Sequence, residues 1–153
     1  MEPFSSWGAP QAALLITGRN LKPRDITAEL GLTPTLSREP TDESPFRPGE
    51  GCWALQVTGA PERGFGGLLD ELAALISPAL EEIQDIRRRG HSVQLDLSGH
   101  VRSGSRTFLS PHLLECATRL DLPVSLTTDA DPPAGSEDLL DWLPAPDGSH
   151  RAT

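Results

Sequence analysis

Apolar residues recur along the chain with two periods, and the points where the period changes mark out the elements. Ala12-Ala13-Leu14-Leu15-Ile16-Thr17, ended by Gly18, is a short apolar run with no helical spacing. That pattern predicts a first strand, buried on both faces at the centre of a sheet. Ile26 to Leu30 then reads as a helix of barely two turns, opened by Pro23 with Asp25 as its N-cap and stopped by Gly31. From Thr33 to Gly51 the chain holds prolines and charges without a period, which predicts a long loop with one short edge strand around Thr35 to Arg38.

Strand character returns at Cys52 to Val57, where Trp53, Leu55 and Val57 alternate onto one face. Phe65, Leu68, Leu69, Leu72, Leu75 and Ile76 recur at spacings of three and four, so a helix is expected from about Gly66 to Ile76. Ser77 and Pro78 offer a cap and a first-turn proline, and Leu80, Ile83 and Ile86 carry an apolar face on to Arg89. These are either two helices or one helix kinked at Pro78. Val93, Leu95, Leu97 and Val101 alternate with polar neighbours as in a strand with one wet face, weakened or bulged at Gly99. Ser110-Pro111 repeats the cap-and-proline start, Leu113, Leu114, Ala117 and Leu120 form the buried face of a last helix, and Val124 to Thr127 is a final short strand.

Strands alternating with helices fit either a parallel α/β sheet or an α+β sandwich. The short strands and the one-sided third one favour the second. The expected fold is a two-layer α+β sandwich, mainly antiparallel with helices on one face, broadly ferredoxin-like. The domain is expected at residues 12–128, behind an N-terminal arm of residues 1–11. After Asp129 the composition turns to Asp, Pro, Gly and Ala, so residues 129–153 read as an acidic Pro-rich tail. Within it, Glu137 to Leu143 is amphipathic, and either docks its Trp142 on the body or serves as a linear motif for another protein.

The family resemblance rests on the first half of this pattern. Asp25-Ile26-Thr27 with Leu30-Gly31-Leu32-Thr33-Pro34-Thr35, followed by Gly49, Gly51 and Trp53-Ala54-Leu55, resembles an uncharacterised domain-of-unknown-function family of small bacterial proteins. The likeness covers roughly Ala12 to Thr128. It implies a compact α+β domain without an established activity, sometimes encoded among toxin-immunity or other accessory genes, and it carries over no catalytic residue.

Charge narrows the classes of partner. A net charge of −9 repels phosphate backbones and anionic lipid, so neither nucleic acid nor a membrane is an expected partner. The one basic run, Arg87-Arg88-Arg89 before Gly90, is explained by a helix C-terminus, where cations meet the negative end of the dipole. No stretch has the length and hydropathy of a transmembrane span or the layout of a signal peptide, and the cytoplasm is the expected compartment. Cys52 and Cys116, far apart in sequence, read as buried thiols.

Candidate chemistry is sparse. Gly64-Phe65-Gly66-Gly67 opens a helix but lacks the third glycine of a dinucleotide loop, so a simple turn explains it. His91, His100, His112 and His150 show no ligand spacing, Ser103 and Ser105 lack a nucleophile elbow, and Asp129 and Asp131 lack the other ligands of a calcium loop. No metal or cofactor is expected. The candidate binding residues are Arg38, Arg47, Glu50 and Trp53, grouped by the long loop and able to meet an anionic group or another protein. The functional expectation is a non-enzymatic protein-binding module, of the immunity or accessory kind. The alternative is a dimeric domain that senses a small ligand, and a homodimer is compatible with either.

Overall fold

The computed structural model describes residues 7–40, 49–59, 64–101 and 106–130. Its elements run β1 (Gly8–Arg19), α1 (Pro23–Leu30), β2 (Leu36–Arg38), β3 (Glu50–Thr58), α2 (Gly64–Ile76), α3 (Leu80–Arg88), β4 (Ser92–Val101), α4 (Pro111–Leu120) and β5 (Val124–Ala130). The strands form one sheet in the order β2-β3-β1-β4-β5. All neighbours are antiparallel except β4 and β5, which are parallel. The expected two-layer α+β fold is the one observed, and among the described residues no helix is long and apolar enough to cross a membrane.

The helices share one face of the sheet because one face of each central strand is apolar. Ala12, Leu14 and Ile16 of β1 lie in register with Val57, Leu55 and Trp53 of β3 and with Leu97, Leu95 and Val93 of β4. Against this surface pack Ile26 and Leu30 of α1, Phe65, Leu68, Leu69, Leu72 and Ile76 of α2, Ile83 and Ile86 of α3, and Leu113, Cys116, Ala117 and Leu120 of α4. The opposite face carries Gln56, Gln94, Asp96 and Ser98, with Ala13 buried among them and Leu15 half-buried. Burial of β1 on its second face is thus partial, and no helix contributes to it.

Several boundaries move for local reasons. β1 starts at Gly8, so residues 8–11 belong to the sheet and not to an arm. Trp7 packs its ring edge-on against Phe65, 5.6 Å between centroids. It also covers Gly99, where an added Cβ would come within 2.9 Å of the Trp7 ring. Gly99 therefore makes room for an indole, and β4 continues through it; the irregularity lies opposite, between Gly8 and Gln11 of β1. In α1 the N-cap is Lys22, and Asp25 falls in the first turn because Pro23 already occupies the helix start. Ser77 caps nothing: its hydroxyl donates back to the Ala73 carbonyl at 2.5 Å while residues 77–79 form a 3-10 turn between α2 and α3. Ser110 caps α4 as expected, accepting from the Leu113 amide at 3.1 Å. The body extends to Ala130 at the end of β5. The Trp142 segment, Ser103, Ser105, Asp131 and His150 lie outside the described residues.

Two side chains expected in the core are not there. Leu75, on the rim of the α2 stripe, and Leu114, on the α4 flank, are both exposed. Their spacing fits the apolar stripe, but nothing among the described residues stands over them.

Candidate functional site

Of the residues grouped by the long loop in the sequence, the fold parts Trp53 from Arg38 and Glu50. Trp53 is fully buried on the helix-covered face, and its indole N–H donates to the Thr27 hydroxyl of α1 at 3.0 Å. Arg38 pairs with Cys52, one residue earlier on β3, so its side chain belongs to the other face of the sheet. There its Nε is buried without a protein partner. Glu50 sits at the start of β3, opposite Arg19 of β1, and Arg47 lies outside the described residues. By the same alternation Glu50 lies on the face of Cys52, so Arg38 and Glu50 share the side opposite Trp53, and both act on the Cys52 thiol.

The positions that carry the family resemblance are explained as a clasp between α1 and β3. Ile26 and Leu30 are buried, Thr27 accepts from Trp53, and Gly31 takes the left-handed conformation that ends α1, with φ 69°. Thr35 then ties the return strand down: its amide donates to the Ala54 carbonyl at 2.8 Å and its hydroxyl accepts from the Gln56 amide at 3.0 Å. Gly51 lies so close to the chain after β1 that a Cβ would stand 1.9 Å from the Leu21 carbonyl oxygen. Each of these residues serves the scaffold.

The basic run is likewise occupied. Arg89 forms a fork on Glu29 of α1, at 2.8 and 2.9 Å, and also reaches Asp85. The Arg89 hydrogen bond holds the Glu29 carboxyl below its ordinary value of 4.5, against a smaller opposing effect of burial. Arg88 pairs with Asp85. Arg87 donates to the Asp121 carbonyl at 2.9 Å, beside Gln84, which donates to the Leu120 and Asp121 carbonyls. α3 thus satisfies the C-terminus of α4 as well as its own.

Of the clefts that border α4, two reach a second element among the described residues. The first, about 440 Å³, lies between α2 and α4 and is lined by Asp70, Ser77, His112, Cys116 and Arg119 among others. His112 Nε2 sits 3.0 and 3.1 Å from the two Asp70 oxygens. Cys116 follows His112 by one turn, so the cleft holds the residue types of a Cys–His–Asp nucleophile. Its electrostatics oppose that chemistry: burial pushes the Cys116 thiol up, and the Asp70 charge pushes it further. Cys52 is also raised, chiefly by burial. Among the described residues no group of His, Cys, Asp and Glu is placed to hold a metal ion.

The second cleft, about 450 Å³, lies between α4 and β5 and is of mixed character, with Leu114, Leu122, Pro123 and Val124 in its walls beside Arg87, Thr118 and Asp121. It exists because the helix layer stops one strand short. Val124 and Leu126 stand in register with Leu95 and Leu97 on the helix-facing side of the sheet, yet they are 39% and 50% exposed. Leu114 of α4, 50% exposed, lines the same cleft as Val124, and Phe108 and Leu109 on the approach to α4 are open as well. β5 is also an edge. The Leu95 amide donates to the Pro123 carbonyl, so in the alternating ladder Ser125 and Thr127 turn their main-chain groups to β4. Val124, Leu126 and Thr128 turn theirs outward.

Sequence reasoning missed this surface because Val124-x-Leu126 and Leu114 read as core whether or not a helix covers them.

No curated protein and no solved structure matches the chain. The family described as "Domain of unknown function (DUF4279)" matches residues 7–131, a span that begins at Trp7 and takes in every strand of the sheet and every helix packed on it. By that match over most of its length, the chain belongs to the DUF4279 family of domains of unknown function.

Proposed function

We propose that this chain is a non-enzymatic protein-binding module, of the immunity or accessory kind, and that it binds through the open side formed by α4 and β5. One observation carries the reading: Val124 and Leu126 belong to the apolar face of the sheet, but among the described residues no helix lies above them. Monomeric soluble domains seldom leave a contiguous apolar strip uncovered beside an unpaired strand edge, since both invite association. An extended segment of a partner, added along β5, takes up the outward main-chain groups of Val124, Leu126 and Thr128. Its alternate side chains enter the cleft beside Leu114.

The test is a photo-crosslinking amino acid placed at Leu126 and, separately, at Gln56 on the polar face of the sheet, in the native host. A protein adduct from position 126 and none from position 56 is the expected result. Adducts from neither position, or only from 56, contradict the reading.

The cleft between α2 and α4 favours a second reading, a domain that senses a small ligand. Asp70, Ser77, His112 and Arg119 converge there and suit a small polar molecule. Its mark is a rise in unfolding temperature on saturation with a metabolite, abolished by Arg119→Ala; a flat response across a broad metabolite set removes it.

A further inference from the structure

We infer that the occupant of the β5 edge is a second copy of this chain, paired antiparallel about a two-fold axis at Leu126. The inference rests on the reading of α4 and β5 as an association surface and names the partner.

The edge is complementary to itself. Val124, Leu126 and Thr128 present both N–H and C=O outward, so a two-fold at Leu126 sets Leu126 opposite its own copy and Val124 opposite Thr128 of the other chain. Every such pair is of the kind that exchanges both main-chain hydrogen bonds. The charge pattern permits it here. A chain of net charge −9 repels its copy in general, but Val124-Ser125-Leu126-Thr127-Thr128 carries no charge, and self-pairing opposes no like charges across the ladder. The other edge, β2, is three residues long and runs into Arg38-Glu39, the short and charged form that discourages pairing. β5 has seven residues, with β-branched Val124, Thr127 and Thr128 and no proline or lysine inside it.

The helix layer supports the same axis. A two-fold perpendicular to the sheet keeps both α4 helices on one side of the joined ten strands. Val124 and Leu126 of the two copies then meet in the middle, under Leu114 from each. The strip left open in one chain is closed by its image, in an isologous contact.

Sedimentation velocity on the full chain tests this. The expected mass rises with concentration from 16.4 kDa to twice that value. Leu126→Asp, which sets two carboxylates together on the axis, and Thr128→Pro, which removes an outward N–H that the chain's own ladder does not use, each weaken association by about tenfold or more while the unfolding midpoint of the dilute monomer stays in place. Ser125→Pro removes an inward N–H and lowers the midpoint instead. A chain that stays at 16.4 kDa up to its solubility limit overturns the inference, as does a dimer undiminished in both edge variants. So does a monomer that dimerises only after Leu139→Asp with Trp142→Asp, since its own C-terminal segment then covers the strip. If the chain is monomeric but position 126 crosslinks to a different protein, the inference falls and the binding surface stands. A monomer without adducts removes both.

Discussion

The α1–β3 side and the α4–β5 side of this domain are built from the same kinds of residue and treat them in opposite ways. On the first side, Ile26, Leu30 and Trp53 are sealed between helix and sheet, and the polar atoms at the join are matched, with indole to hydroxyl and amide to carbonyl. On the second, Leu114, Val124 and Leu126 show the same spacing and the same hydrophobicity, yet about half of each is left in water. The first side is finished within one chain, while the second has the composition of a core and the exposure of a surface. The proposed association rests on that contrast.

Substitutions sharpen the contrast by how much stability each side surrenders. Trp53→Ala has the largest expected effect, about 3–5 kcal/mol in urea unfolding, because it empties a fully buried indole site and orphans the Thr27 hydroxyl. Gly51→Ala comes next, at or beyond the upper end of the ~1–3 kcal/mol typical of overpacking, since the new methyl meets the Leu21 main chain. Gly18→Ala on the neighbouring strand is the control. Its Cβ meets the His91 ring, a side chain that can rotate away, so its loss is smaller than that of Gly51→Ala. Equal losses at 18 and 51 break the distinction between backbone and side-chain contact. Thr27→Val keeps the volume and removes the acceptor of the indole N–H, at an expected cost of about 1–3 kcal/mol for the unsatisfied donor.

The Arg89–Glu29 fork gives a smaller effect with a defined pH dependence. Glu29 is held below its ordinary carboxyl value, so its contribution to stability is present above pH 4.5 and fades as the pH falls through the lowered folded value. Because both groups are substantially solvated, Glu29→Gln costs little at neutral pH, and the difference from the parent closes in acid. A difference that widens in acid contradicts the assignment. At the far end of the scale, Leu114→Ser leaves the unfolding midpoint within about 0.5 kcal/mol of the parent, the usual range for surface sites.

How far the sequence carries the structure depends on whether a pattern has one physical cause or two. Alternation in β3 and β4 means a strand with one dry face, and the helix stripes of α2 and α3 mean a buried side, so those elements and the two-layer α+β class were legible. Trp53 leaves the long-loop group for a reason visible in the same period: it alternates onto the core face, while Arg38 pairs with Cys52 and shares the other face with Glu50. Residues adjacent in sequence across a strand do not share a surface. The open strip was illegible because alternation fixes which face a side chain takes, but not whether a helix covers that face. The partners of Arg87 and Arg89 lie in α4 and α1, at separations no local pattern encodes.

Amide-resolved hydrogen exchange along β5 tests the account most directly. Ser125 and Thr127, bonded to β4, are protected at every concentration. The amides of Leu126 and Thr128 exchange freely in dilute protein and gain protection as association proceeds, in step with the rise in mass. If Leu126 and Thr128 remain in fast exchange at every concentration and with every partner recovered from the host, the β5 edge is not where this domain binds.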